Sequence, residues 1–177
     1  CPFCRTPHPD NHAGTLAMIQ ARVEKGDPEA INHLGETYLH GGMQNMQRAV
    51  ELWTEAADLG SIEALFGLGV AYDSGEGVQQ DKAKAAEFYT KAAVQGHVES
   101  RNNLANHEAR KGNHDGAAKH YLISAKMGLK ESVEAIEDMF VAGLSTKEQY
   151  AQALRGYQNA VEEMKSHHRD EAKRFRL

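Results

Sequence analysis

The sequence predicts an all-α fold, an α/α superhelical solenoid of about four repeated helix pairs. Three observations predict it. Proline is confined to Pro2, Pro7, Pro9 and Pro28, with none from residue 29 to 177; that suits helices, because proline removes a donor and clashes with the preceding turn. Gly26, Gly60, Gly96, Gly112 and Gly128 each follow an apolar-periodic segment, where a helix C-cap sits. The chain also repeats itself. Ala56-Ala57-Asp58-Leu59-Gly60 aligns with Ala92-Ala93-Val94-Gln95-Gly96 at an offset of 36, and Ser124-Ala125-Lys126-Met127-Gly128 follows at 32. Val, Ile and Thr are sparse, and no period-two run argues for a strand.

The elements follow in order. Residues 1–13 read as a leading tail and residues 14–164 as the repeat region. Residues 14–25, with Leu16, Ile19 and Val23, read as a lone capping helix. The first repeat, 28–60, opens at Asp27-Pro28, which places Asp at the N-cap and Pro at the first helical position. Its helix A carries Leu34-Gly35 and Tyr38, and its helix B carries Ala49 and Trp53. The second repeat, 61–96, has Leu68-Gly69, Tyr72, Ala85 and Tyr89 at the same places, with Asp81 as the N-cap of helix B. The third, 97–128, has Leu104-Ala105, Ala117 and Tyr121, with Glu108 where the helix-A Tyr stood. The fourth, 129–164, has Ile136, Phe140, Ala153 and Tyr157, and Ser145-Thr146-Lys147-Glu148 reads as a capping box. The A-to-B loops absorb the length variation. Neither helix of a pair can bury its stripe alone, so the units stack. Leu34, Tyr38, Trp53, Leu68, Tyr72, Tyr89, Leu104, Tyr121, Ile136 and Tyr157 are expected to be largely buried.

Composition narrows the function. The chain has 177 residues, 41% hydrophobic and 25% charged, with mean hydropathy −0.61, enough for a domain with a core. No apolar run is long enough to cross a membrane, and no secretory leader is read at the N-terminus. A net charge of −5 and a pI near 6.1 argue against nucleic acid as the partner. Two cysteines make no disulfide scaffold and favour a reducing, cytoplasmic compartment. The chain begins with Cys rather than Met, so a fragment or processed product is expected. Residues 165–177 hold five Lys/Arg against two Asp/Glu, a net +3 that leaves −8 on the rest. They read as a basic interaction tail or as a solvated end of the last helix. There is no Gly-x-Ser-x-Gly, no Walker-type phosphate loop and no Ser-x-x-Lys, so no catalytic residue is assigned.

Gly75-Glu76-Gly77-Val78-Gln79-Gln80-Asp81-Lys82-Ala83, followed by Ala92-Ala93-x-x-Gly96, resembles the Sel-1-like repeat family. That family is similar to tetratricopeptide repeats but has variable A-to-B loops and a terminal Ala-Ala-x-x-Gly. The resemblance covers about residues 14–164. It is strong in the second repeat and good in the first; the third lacks the Gly-x-Gly loop, and the fourth keeps spacing more than identity. It implies a right-handed α/α superhelix that binds other proteins, commonly as an adaptor, with no catalytic residues. By analogy with related helical repeats, helix A lines the concave face. The groove would then carry Glu29, Asn32 and Glu36; Glu63, Phe66, Val70 and Asp73; Glu99, Asn102 and Asn106; and Glu131, Glu134 and Asp138. Asn can clamp a peptide backbone, and an acidic wall suits a basic or amphipathic protein or peptide segment. A second reading of Glu29, Glu63, Glu99 and Glu131 stands beside it: each sits in a helix first turn, where a carboxylate offsets the macrodipole.

Cys1-Pro2-Phe3-Cys4 has three readings: a zinc-ligand pair, a redox spacing without the βαβ scaffold it needs, and a tail with no role. Cys-Pro-x-Cys-Arg resembles the last ligand pair of a RING-type zinc finger, and the layout is similar to RING-plus-Sel-1-like proteins of algae such as diatoms. A RING needs eight ligands for two zincs, and six would precede Cys1, so this chain cannot form one. The resemblance implies a full-length parent that is a zinc-binding ubiquitin ligase, its solenoid recruiting substrate. In this chain no cofactor is expected. His8 and His12 follow the cysteines at a spacing too tight for a finger. His33, Glu36 and His40 share one helix face, as a metal site or as a solvated face. His107, His114, His120, His167 and His168 read as surface.

Overall fold

The computed structural model describes residues 12–40 and 45–174, and among them it holds nine α-helices and no strand. They are α1 (His12–Val23), α2 (Pro28–His40), α3 (Met46–Asp58), α4 (Ile62–Ser74), α5 (Lys82–Val94), α6 (Val98–Arg110), α7 (His114–Lys126), α8 (Lys130–Val141) and α9 (Lys147–Arg174). The fold is all-α, built of consecutive A and B helices. Cys1, Cys4 and His8, and the side chains of His12, Leu16, His40 and His168, lie outside the described residues.

The helix starts are fixed by side-chain caps. Asp27 Oδ1 accepts from the Glu29 and Ala30 amides, and Asp81 Oδ1 accepts from those of Ala83 and Lys84. Arg22, hydrogen-bonded to Asp27, holds that carboxyl below its ordinary range. Ser61 caps α4 and His97 caps α6 from the equivalent place, the His97 ring nitrogen accepting from the Ser100 amide at 3.1 Å. The fourth copy of this position is Leu129, which has no side-chain cap. The capping box of α9 is displaced by one residue from Ser145–Glu148. Thr146 Oγ1 accepts from the Gln149 amide, and Gln149 Oε1 accepts from the Thr146 amide. Ser145 donates instead to the Ile136 carbonyl. The helix ends repeat as well: Gly60, Gly96 and Gly128 take φ of 98°, 96° and 97°, the left-handed conformation that glycine adopts without Cβ strain.

The chain divides into two compact units at Phe88/Tyr89, inside α5, and each has its own core. In the first, α3 packs against α2 and α4. Ala49, Leu52, Trp53 and Ala56 meet Ile31, Ala64, Leu68 and Ala71. The Trp53 indole is the centre of this layer. A Cβ at Gly35 of α2 would lie 2.7 Å from its Nε1, and one at Gly67 of α4 would lie 3.0 Å from its Cδ2. Both glycines are therefore required to be small by the same ring. In the second unit α7 packs against α6, α8 and α9, with Ala117, Tyr121 and Ala125 against Ala105, Val133, Ile136 and Ala153. Ser100, Ser124 and Ser132 occupy small-residue positions and are fully buried. Ser124 donates to the Val98 carbonyl and Ser132 to Asn102 Oδ1, which satisfies these hydroxyls.

Of the expected core set, Trp53, Leu68, Tyr89, Leu104, Tyr121 and Ile136 are buried. Leu34, Tyr38, Tyr72 and Tyr157 are only half-buried. Tyr72 shows why: it stacks on Phe88 at 5.6 Å and its hydroxyl accepts from Lys84 Nζ at 2.7 Å, so its polar end stays near water.

Three substitutions test this arrangement. Leu68→Ala removes a side chain 1% exposed and is expected to cost about 2–5 kcal/mol in denaturant unfolding. Gly60→Ala meets open space at φ +98° and is expected to cost about 1–2 kcal/mol. Gly77→Ala is expected to cost more than Gly60→Ala in the same assay, because its Cβ would lie 2.7 Å from the Met46 carbonyl carbon.

Candidate functional site

The residues expected to face a partner fall in both units. In the first, Glu29, Asn32 and Glu36 project from α2, and Glu63, Phe66, Val70 and Asp73 from α4. Asn32 and Glu36 are four residues apart, and Glu63, Phe66 and Val70 follow at i, i+3 and i+7, so each set shares one helix face. The structure brings five of these seven together. Asn32, Glu36, Glu63, Phe66 and Val70 line a pocket of about 230 Å³, with Leu39, Met46, Trp53, Gly67 and Glu76. Gly67 has no side chain, so the Trp53 ring reaches this space from α3. Glu29 and Asp73 are not among the lining residues. Glu29 is exposed in the first turn of α2, and Asp73 pairs with Lys82 Nζ at 3.1 Å.

Sequence reasoning missed Leu39, Met46, Trp53, Gly67 and Glu76. Trp53 was assigned to the core, which it also fills. Met46 opens α3, and Glu76 arrives through the Gly75-Glu76-Gly77 turn: Gly77, at φ +74°, lets that turn lie directly on the Met46 backbone. The Gly-x-Gly motif was the available signal.

The asparagines are held differently from the expected backbone clamps. Asn32 is only 5% exposed and donates to Glu36 Oε1 at 3.2 Å. In the second unit Asn102 Oδ1 accepts from Ser132, and Asn106 Oδ1 accepts from the Tyr121 hydroxyl. These amides tie α6 to its neighbours. Around them, Glu99 lies 3.8 Å from His97 Nε2 and Glu134 pairs with Lys130 at 2.6 Å, while Glu131 and Asp138 are exposed. Glu29, Glu63, Glu99 and Glu131 all stand in the first turn of their helices, so each complements the macrodipole. Of the four, Glu63 also lines the pocket.

Among the described residues no group of three or more His, Cys, Asp or Glu is placed to hold a metal ion, and no helix is long and apolar enough to cross a membrane. His33 Nδ1 lies 3.3 Å from Glu36 Oε2; the third member of that trio, His40, has its side chain outside the described residues.

Residues 28–61 and 62–97 match the Sel1 repeat family. Among curated proteins the chain is similar to rat DAP3-binding cell death enhancer 1, 28% identical over 89 residues. That match takes in 50% of this chain and 18% of the relative. It is also similar to mouse protein sel-1 homolog 2, 31% identical over 85 residues, 47% of this chain and 12% of the relative. The chain thus spans less than a fifth of the curated relatives it matches. A Sel1 repeat protein from Oxalobacter formigenes superposes with a TM-score of 0.73 at 21% identity, over 86% of this chain and 65% of that one. A protective antigen of uropathogenic Escherichia coli with an SLR fold superposes at 0.72 and 28% identity, over 88% of this chain and 34% of that one. These likenesses agree with the α/α solenoid that the repeats predict.

The histidines of the second unit correct one expectation. His107 is buried, not a surface residue, and His114 and His120 are half-buried. Burial, helped by the nearby Arg101 charge, pushes the His120 imidazole below its ordinary 6.5, and Glu108 opposes this. Above that value the ring is neutral in both folded and unfolded chains, and its contribution to stability is intact. As pH falls through 6.5 the unfolded chain takes up the proton first, so stability declines toward the folded value. Denaturant midpoints measured from about pH 8 to 5 are expected to fall on the acid side, and His120→Gln is expected to flatten that fall.

Proposed function

We propose that this chain is a protein-interaction module that holds a segment of a partner protein against the α2/α4 face of its first unit. Sel1 repeats generally mediate protein–protein interaction, and Sel1 repeat proteins are typically non-enzymatic scaffolds. The matched repeats take in α2, α3 and α4 of this unit. The observation that carries the reading is the pocket itself: two successive A helices and the intervening B helix converge on one space with an aromatic floor. Such a surface suits side chains of an extended or helical segment. One similar protein, DAP3-binding cell death enhancer 1, carries protein binding in its name, which supports the same class of role. The module acts in a reducing compartment such as the cytoplasm.

The motif Cys1-Pro2-Phe3-Cys4 favours a second reading for the parent protein. In it the parent is a RING-type ubiquitin ligase, Cys1 and Cys4 are zinc ligands, and the repeats recruit substrate. Six further Cys/His ligands ahead of Cys1 in the parent sequence would support it; their absence removes it.

The interaction reading is tested by capture from native lysate, comparing the chain with a Glu63→Ala/Val70→Ala variant. Both side chains are exposed, and with the loss of the Glu63 charge from the first turn of α4 the variant is expected to stay folded at a cost of about 1 kcal/mol or less, checked by its melt. Partners are expected to be lost from the variant. Equal capture by both proteins would move the binding surface off this face.

A further inference from the structure

The walls and rim of the first-unit pocket differ in chemistry. Leu39, Met46, Trp53, Phe66 and Val70 make apolar walls, and Glu36, Glu63 and Glu76 bring three carboxylates to the same space, with no lysine or arginine among the lining residues. We propose that this pocket receives the side chain of a lysine or arginine from an extended segment of a partner protein. The aliphatic stem lies along the walls and the cationic head meets the carboxylates. The inference rests on the reading of this face as an interaction surface and adds the chemistry of the anchor.

Size supports a single side chain. The pocket, about 230 Å³, falls below the roughly 300–1,000 Å³ of sites that enclose a whole small molecule. Its dual character matches the dual character of the ligand, because lysine and arginine bury their methylene stems on apolar surface while the charge stays at the edge. A wholly apolar side chain would desolvate the rim carboxylates without pairing them. An acidic segment or a nucleic acid backbone would meet like charge. Glu36 already accepts from Asn32 Nδ2 at 3.2 Å and meets His33 at 3.3 Å; the His33 pair, with side chains 57% and 47% exposed, is weak enough to be replaced while the Asn32 bond orients the carboxylate. The half-buried Phe66 ring adds an aromatic surface that attracts a cation.

The test uses the whole chain and an array of otherwise identical random-flank peptides whose central residue is Arg, Lys, citrulline, norleucine or Glu. Citrulline keeps the shape of arginine and norleucine the stem of lysine, each without charge. Arg and Lys peptides are expected to bind on the order of tenfold tighter than their neutral counterparts, with the advantage shrinking as salt rises. Glu36→Gln/Glu63→Gln/Glu76→Gln is expected to erase that advantage while leaving residual binding of norleucine peptides. Circular dichroism melts check that the variant folds, and the single Glu76→Gln variant gives a milder version of the same shift. Equal binding of norleucine and Lys peptides, or a charge preference that survives the triple variant, overturns the cationic anchor but leaves the interaction surface standing. Binding unaffected by both the triple variant and Glu63→Ala/Val70→Ala overturns the surface as well, as does the absence of binding by every peptide.

Discussion

The close approach of helices across glycine and alanine is the constraint on which the rest of the first unit depends. A single indole, that of Trp53, fills the space that Gly35 and Gly67 leave empty. Dispersion contacts are short-ranged, so a ring seated between two bare backbones gains contacts that larger residues would hold away. The same contact fixes the spacing of α2, α3 and α4, and hence the distance between the helix faces that line the pocket. Core and pocket are two sides of one ring. A change at Trp53 would therefore act on stability and on the candidate site together.

The second unit solves the same packing problem with more polar chemistry. Where the first has Ala56 and Ala64, the second has Ser124 and Ser100 at the equivalent positions, all with almost no exposure. Buried hydroxyls need partners, and Ser100 finds His97, Ser124 finds Val98, and Ser132 finds Asn102. Tyr121, at the Trp53 position, donates to Asn106. Side chains that could have reached for a ligand are in this way drawn into the structure. The first-unit pocket keeps a polar contact of its own, Asn32 to Glu36, but sets it beside Leu39, Met46, Trp53, Phe66 and Val70 on an open space.

Much of the fold was legible because glycine, proline and capping residues act locally. Asp27 and Asp81 were readable as caps, and Gly60, Gly96 and Gly128 as helix ends, because each needs only its own turn of chain. The capping box moved from Ser145 to Thr146 because both residues offer a hydroxyl, and Ser145 found the Ile136 carbonyl, a contact nine residues back that spacing does not reveal. His107 was read as surface from its chemistry. The repeat register said otherwise, since His107 aligns with Ala71 and Met139, and all three are buried. The pocket was half legible for a related reason. Positions on a helix face follow from periodicity, but Glu76 enters through a turn whose path is set by its tertiary contact with Met46 at the start of α3.

The length of α9 turns on one recurring position. At 28 residues, α9 is about 42 Å long, roughly twice the length of the helices before it. Following the register from Gly60 through Gly96 and Gly128 leads to Met164, with helix continuing on both sides of it. Glycine at this place acts as punctuation that lets the backbone turn back; methionine, a good helix former, lets it run on. Met164 also comes close to Gly128, where an added Cβ would lie 3.1 Å from its terminal carbon. One recurring position thus decides where a B helix stops. With glycine there a B helix ends and the chain reverses; with methionine there the helix runs on past the usual turning point.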